Sequence, residues 1–323
     1  MRISGSTVVV TGASSGIGRA TALAFARRGA NLVLVSRDER ALRDAADECA
    51  AVGAAVLPVP CDTTDGRGLA EIADRTVETF GGLDVWINDA AVAVFGPLVD
   101  LPPEDVARVL DVNVMGYVHG ARAALPHMIA RGGGVLINLV SVAGIVAQPY
   151  GAPYSMSKFA VRALTSSVRQ ELRLAGVRGV HACAVLPPTI DTPFFAHAAN
   201  HSGRRVRAMP PVYPPEQVAR VIVGVVRRPR REVAVGLAAR ALVLQARLAP
   251  RLTEYAMARL ADRAQLSRRQ PAADEPGNLY RPPGGEQVHG EWHGRRRTAT
   301  RRVLAAAGAA GVAVAVSTRR TGD

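Results

Sequence analysis

The 323 residues carry 40 Lys+Arg against 27 Asp+Glu, a formal net charge of +13, and are 48% hydrophobic but only 4% aromatic. That length and apolar share are enough for one full α/β core with residues left over, and three cysteines (Cys49, Cys61, Cys183) without a C-x-x-C exclude a disulfide framework and a zinc knuckle and fit a reducing, cytoplasmic setting. The arginines are spread along the whole chain and the aromatics form no stacking pattern, so the charge points to weak attraction for anionic surfaces and not to nucleic acid.

Residues 1–6 reach the first apolar run without an h-region, so no signal peptide is expected. Residues 7–10 are a short β-branched strand, followed at once by TGASSGIG (11–18) and the helical pattern 19–28. Strand, glycine turn and helix form the context a dinucleotide site requires. Glycines allow the backbone close to a pyrophosphate, and the helix N-terminus receives its charge. Gly12, Ser14, Ser15, Gly16, Ile17 and Gly18 are therefore the candidate cradle.

Strand and helix patterns then alternate: strands at 31–36, 55–61, 83–88, 134–140, 180–186 and 233–235, helices at 38–52, 69–80, around DVNVMG, and at 154–175. This order predicts an α/β fold, a doubly wound seven-stranded parallel sheet with every strand C-terminus on one edge. Residues 1–236 would form this domain, and 189–215 is long enough between elements to act as a lid, with Phe194, Phe195, Met209 and Tyr213 suggesting a bulky apolar substrate.

The stretch 141–158 places a hydroxyl, a phenol and an ammonium at informative spacing. Tyr154 and Lys158 are four apart and share one helix face, and a fixed cation beside a phenol, whose reference pKa is about 10, favours the phenolate. A Y-x-x-x-K pair alone is more often a solvated face. Here Lys158 is the single lysine of a chain that otherwise writes arginine, and arginine, a planar fork, does not replace a compact ammonium. Ser141 ends an apolar strand where its hydroxyl can meet a substrate oxygen.

With T-G-x-x-x-G-x-G, Ser141 and Y-x-x-x-K in this order, residues 6–236 resemble the short-chain dehydrogenase/reductase family. The resemblance implies a Rossmann-like fold, a nicotinamide cofactor, hydride transfer between a carbonyl and a secondary alcohol of a small-molecule substrate, and a homo-oligomer. It also implies a tetrad of Asn113, Ser141, Tyr154 and Lys158: Tyr154 exchanging the proton, Ser141 orienting the oxygen, Lys158 lowering the tyrosine pKa and holding the ribose, and Asn113 holding a water. Asp62 resembles the acid that contacts adenine, Asn88 the residue closing strand four, and Pro187, Ile190 and Thr192 of PPTIDT the loop bracketing the nicotinamide. Two departures, Asp89-Ala90-Ala91 in place of N-A-G and Pro187-Pro188 in place of Pro-Gly, bear on cofactor fit. Strand two ends in Ser36-Arg37, where an NAD-preferring site has a carboxylate; a hydroxyl and a guanidinium suit a 2′-phosphate, so NADP(H) is expected over NAD(H), with Asp38 as a helix N-cap. Two rivals remain: a silent nucleotide-sensing scaffold, opposed by the intact tetrad, and a sugar-nucleotide epimerase or dehydratase, opposed by the glycine spacing.

Residues 237–266 read as helix broken at Pro250, packing on the core or, in the sharper reading, lying weakly on a membrane. From 267 onward Pro, Gly and charge predict a mostly disordered tail, with an apolar stretch at 303–316 that is short of the roughly 20 residues needed to span a bilayer. The pairs His197/His201 and His289/His293 are four apart but lack a third ligand, so no metal is expected.

Overall fold

The computed structural model describes residues 1–284 and 287–292. Seven parallel strands form the central sheet: β1 (Thr7–Thr11), β2 (Asn31–Ser36), β3 (Val56–Pro60), β4 (Val85–Asn88), β5 (Gly134–Leu139), β6 (Val180–Leu186) and β7 (Glu232–Ala234). Their spatial order is β7-β6-β5-β4-β1-β2-β3. The chain winds outward from β1 to β3, then returns to β4 on the other side of β1, which opens a crevice at the β1/β4 switch point. Pro58 and Pro60 cannot donate to a ladder, and β3 tolerates them because it is an edge strand paired only with β2.

The inner strands are apolar on both faces because helices cover both. Val8 and Val10 of β1 belong to a core with α1 (Gly16–Ala26), α2 (Glu39–Ala50) and α8 (Pro215–Arg227), through Phe25, Leu42 and Ile222. Val9 points the other way, toward α3 (Gly66–Phe80), α5 (Gly116–Arg131) and α6 (Ala152–Leu174), through Leu69, Met128 and Leu172. This alternation within one strand is the period of two that builds the three layers.

The helix predicted around DVNVMG is interrupted. α4 (Pro103–Leu110) passes through a π-helical turn at Asp111–Met115 before α5 begins, and Asn113 sits in that turn. Such single-turn insertions re-aim a side chain that a regular helix would direct elsewhere. The segment read as a lid is stitched into the body: α7 (Phe194–His197) leads to Ala199–Asn200, which pairs with Val94–Phe95, and to Arg204–Val206.

The C-terminal reading needs the largest correction. α9 (Gly236–Leu248) and α10 (Pro250–Leu260) form the helical pair expected around Pro250. Beyond them, Leu266–Pro271 is a strand antiparallel to Arg204–Val206, and Asn200 and Glu275 exchange backbone hydrogen bonds of 2.9 and 3.1 Å. Leu279 is 0% exposed, inside a cluster with Val92, Val94, Leu101, Val109 and Val112. Burying such a side chain contributes about 1.5–3 kcal/mol, comparable to the cost of ordering one or two residues, so the backbone hydrogen bonds of the segment must supply the rest. Residues 267–284 and 287–292 therefore pack on the domain although their composition suggested disorder. The apolar stretch 303–316 and His293 lie outside the described residues. Among the described residues no helix is long and apolar enough to cross a membrane, and no group of three or more His, Cys, Asp or Glu could hold a metal ion.

Candidate active site

A cavity of about 480 Å³ opens along the C-terminal edge of the sheet. At one end it is lined by Gly12, Ser14, Ser15, Gly16 and Ile17, with Ser36, Arg37 and Asp62 beside them; at the other by Ser141, Tyr154, Lys158, Pro187, Ile190 and Thr192. The glycine turn is built for close approach. A Cβ on Gly12 would stand 2.8 Å from the Ala90 nitrogen, and one on Gly18 2.1 Å from the Gly12 oxygen. Gly18 thus does not line the cavity; it lets α1 start against the turn, leaving the Gly16 amide, at φ +51°, aimed into the cleft. A cradle that no β-carbon could share fits the phosphates of a dinucleotide.

Beyond that turn, Ser14 and Ser36 hydroxyls meet at 2.8 Å, and Asp38 caps α2 by accepting from the Ala41 amide at 3.0 Å. Arg37 and Asp38 both line the cleft at the end of β2, Asp38 engaged as the helix cap and Arg37 with a guanidinium nitrogen 3.8 Å from the Asp62 carboxylate. Asp62 accepts from the amide and hydroxyl of Thr64 (3.0 and 2.9 Å) and from Arg108 at 2.6 Å. Burial alone would raise its pKa; Thr64 and the Arg108 guanidinium outweigh burial and hold it below the ordinary carboxylate value.

At the far end, Ser141 follows β5 with φ +79°, a left-handed conformation that is uncommon outside glycine and turns its hydroxyl back toward the phenol. Its hydroxyl accepts from the Ala143 amide at 3.2 Å and lies close enough to Tyr154 to lower the pKa of the phenol. Lys158, 2% exposed, sends its ammonium to the Tyr117 hydroxyl at 3.1 Å and the Leu139 carbonyl at 2.8 Å, with the Tyr154 ring centroid 5.5 Å away. The expected direct depression of Tyr154 by Lys158 is not what this arrangement gives. Burial pushes Tyr154 up to about 12, the Ser141 hydroxyl pulls it down, and the Asp89 carboxyl raises it further. Burial likewise lowers Lys158 to about 8, with Asp89 acting in the opposite direction.

Two sequence-derived site residues work from outside the cavity. Asn113, 0% exposed, clasps the Val92 backbone from both sides, its carbonyl accepting at 2.8 Å and its amide donating at 2.9 Å, and also donates to Ser157 at 3.0 Å. Asn88 spends its side chain inside the fold, accepting from the Trp86 indole at 2.8 Å and donating to Asn138 at 2.9 Å, so it braces β4 against β5 instead of lining the cleft. Residues the motifs did not mark also face the cavity: Gln148, Leu242, Met257 and Gln265, and Asn278 and Pro282 from the C-terminal segment. Apolar spacing in 237–266 was the only signal for Leu242 and Met257; nothing marked Gln148 or Gln265, and nothing in the tail announced its part.

A model of the family described as short chain dehydrogenase matches residues 6–202. The chain belongs to the short-chain dehydrogenase family. It is 36% identical over 277 residues to the uncharacterized oxidoreductase YxnA of Bacillus subtilis, covering 84% of this chain and 77% of that protein. It is 35% identical over 224 residues to 3beta-hydroxysteroid dehydrogenase 1 of Eggerthella lenta, covering 67% of this chain and 85% of that one. Among solved structures, a short chain dehydrogenase/reductase from Burkholderia phymatum in complex with NAD superposes with a TM-score of 0.71 at 30% identity, covering 78% of this chain and 96% of that chain. As a short-chain dehydrogenase the protein is an NAD(P)-dependent oxidoreductase.

Within this short-chain dehydrogenase site Asp89 is the unusual member. It is an acid among apolar walls, burial raises it to about 7, and the Lys158 charge and the Gly18 amide pull it back. Its carboxylate favours the charged ammonium of Lys158. Asp89→Asn removes that support while keeping an acceptor for Gly18. Lys158 should then lose its proton at lower pH, moving the alkaline limb of the kcat/KM profile to lower pH. An unmoved limb, or one moved upward, would show that Asp89 does not act on Lys158.

Proposed function

We propose that the protein is an NADP(H)-preferring reductase or dehydrogenase of a bulky apolar carbonyl or secondary alcohol. The observation that carries this reading is that Ser141, Tyr154 and Lys158 line one cavity at the foot of an aromatic wall. Tyr154 and Phe194 rings stand 5.3 Å apart, Phe194 and Phe195 5.2 Å, with Leu242 and Met257 of the helical pair lining the same cavity.

The glycine turn, Arg37, Thr192 and Lys158 are the residues that would hold the cofactor, which supplies the hydride when bound. The substrate oxygen meets two hydroxyls. Tyr154 gives the proton as carbonyl becomes alcohol and takes it in the reverse direction; Ser141 donates to the same oxygen and stabilises the charge that develops there. With Tyr154 near 12 its protonated form dominates at neutral pH, which favours the direction in which the phenol donates. Asn113 acts by holding Val92, hence the loop beneath the nicotinamide end, and so positions rather than reacts. Three unpaired cysteines support a reducing, cytoplasmic setting.

A weak membrane contact is supported by the outer face of the helical pair. Leu237, Leu244 and Leu248 are 78%, 58% and 74% exposed, interleaved with the exposed Arg240, Arg247 and Arg251. Apolar side chains among cations suit an anionic bilayer surface, and the opposite face of the same helices lines the substrate cavity. Vesicles rich in anionic lipid should co-sediment the wild type, and Leu244→Glu with Leu248→Glu should remove most of that binding; equal pelleting of both would refute the contact.

Tyr154→Phe removes only the ionisable oxygen. Turnover should fall by about 10²–10⁴-fold with cofactor binding nearly intact, as measured by nicotinamide absorbance over a carbonyl and alcohol panel. Retention of a tenth of the wild-type rate would remove Tyr154 as the acid/base.

Arg37 can meet a 2′-phosphate with two charge-assisted bonds of about 1.5–3 kcal/mol each, enough for a 10- to 100-fold preference. Arg37→Ala should therefore weaken NADPH binding far more than NADH binding in a fluorescence titration. Equal losses, or a wild type that favours NADH, would end the NADP(H) assignment.

A further inference from the structure

We propose that residues 276–284 and 287–292 form a strap that competes with the dinucleotide for its own site, with backbone carbonyl oxygens standing where phosphate oxygens would bind. The inference rests on the functional reading above for the identity of the cofactor, and on the following contacts for everything else.

The strap crosses the cleft from end to end. At the adenosine end, the two terminal nitrogens of Arg37 donate to the carbonyls of Leu279 and Asn278 at 3.1 and 2.7 Å, and Arg108 adds a third bond to Leu279 at 2.9 Å. At the glycine turn, the Gly16 amide donates to the Gln287 carbonyl at 3.0 Å. At the nicotinamide end, Asp191 accepts from the amides of Gly290 and Trp292 at 3.2 and 2.7 Å, and the Trp292 indole donates to the Thr192 carbonyl at 3.2 Å. The donors engaged are those that the functional reading assigns to the 2′-phosphate and the diphosphate. A carbonyl carries a partial negative charge where a phosphate oxygen carries a larger one, so the strap is a weaker version of the ligand in the same position.

Its fit is specific. A Cβ on Gly290 would lie 2.1 Å from the Thr192 oxygen, so only glycine passes there, and Trp292 sets its ring against Phe195 at 6.3 Å. The two ends are held differently, which makes partial release feasible. Leu279 is fully buried and Tyr280 donates to Asp105 at 2.9 Å, whereas Gly290 is only half-buried and its end is held by hydrogen bonds, one aromatic edge and the exposed His289, which meets Glu216 at 2.9 Å and Asp191 at 3.7 Å. Among the described residues the buried Asn278 side-chain oxygen finds no hydrogen-bond partner, a cost of the closed state that opening removes. Charge-assisted bonds to phosphate replace the carbonyl contacts on binding, and the strap leaves from its distal end.

A competitor that is closed about nine-tenths of the time weakens apparent affinity about tenfold. The experiment uses the full-length chain and NADP⁺, read by calorimetry and by tryptophan emission. Gly290→Val, which cannot seat beside Thr192, should bind NADP⁺ about tenfold more tightly than wild type, and Trp292→Ala, which leaves Leu279 in place, should move the same way. In the wild type, NADP⁺ should shift emission to the red as Trp292 leaves Phe195 for water, a change that Trp292→Phe abolishes while buried Trp86 reports no shift. Equal affinity of wild type and both variants, or no emission change on binding, would overturn the strap alone. Weaker binding by both variants would also overturn it, making these residues a wall of the cofactor pocket. Failure of every protein to bind NADP⁺ would overturn the functional reading and the strap together.

Discussion

One ammonium is buried at the centre of this site, and the way it is held dictates much of what surrounds it. Removing a lysine charge from water costs several kcal/mol unless donors find acceptors and an opposite charge lies nearby. Lys158 meets those conditions through the Tyr117 hydroxyl, the Leu139 carbonyl at the end of β5, and the field of Asp89. Each of these comes from a different element, so α6, α5, β5 and the loop after β4 must all be in register before the charge can be accommodated. The catalytic arrangement and the packing of one half of the sheet are therefore the same constraint.

Burial that costs so much also tunes. A lysine near 8, an acid near 7 and a phenol near 12 sit within one desolvated cluster, each value displaced by burial first and by its neighbours second. The Asp89 carboxylate acts on both others in the direction that favours protonation. An acid in the loop after β4 therefore has a physical consequence: it favours the positive charge on Lys158 and the proton on Tyr154.

The legibility of these features in the sequence follows the range of the interaction behind each. The sheet was readable because β1 through β7 are short apolar runs whose period and flanking turns are local properties, and the glycine turn because close backbone approach admits no other residue. Asp38 as a helix cap and the 141–158 constellation were equally local. Asn88 and Asn113 were misplaced relative to the cavity because their directions depend on partners 50 and 21 residues away, Asn138 and Val92, and, for Asn113, on a π-helical turn that no periodicity announces. Lys158 lies in the cavity, but its hydrogen-bond partner was not legible, since Tyr117 precedes it by 41 residues.

The C-terminal segment failed to announce itself for a different reason. Glycine and proline content reads as disorder because such chains bury little apolar surface per residue and lose much entropy on ordering. That argument assumes that order must come from side-chain burial. Here a single leucine, Leu279, supplies the apolar anchor, and much of the remaining order comes from backbone carbonyls meeting Arg37, Arg108 and the Gly16 amide, and from backbone amides meeting Asp191. Glycines are the residues that let a backbone come this close, as Gly277 shows, where a Cβ would stand 2.4 Å from the His197 oxygen. The composition that argues against a folded core is thus compatible with a segment that binds through its main chain, and a site rich in N–H donors is the surface on which such a segment can settle.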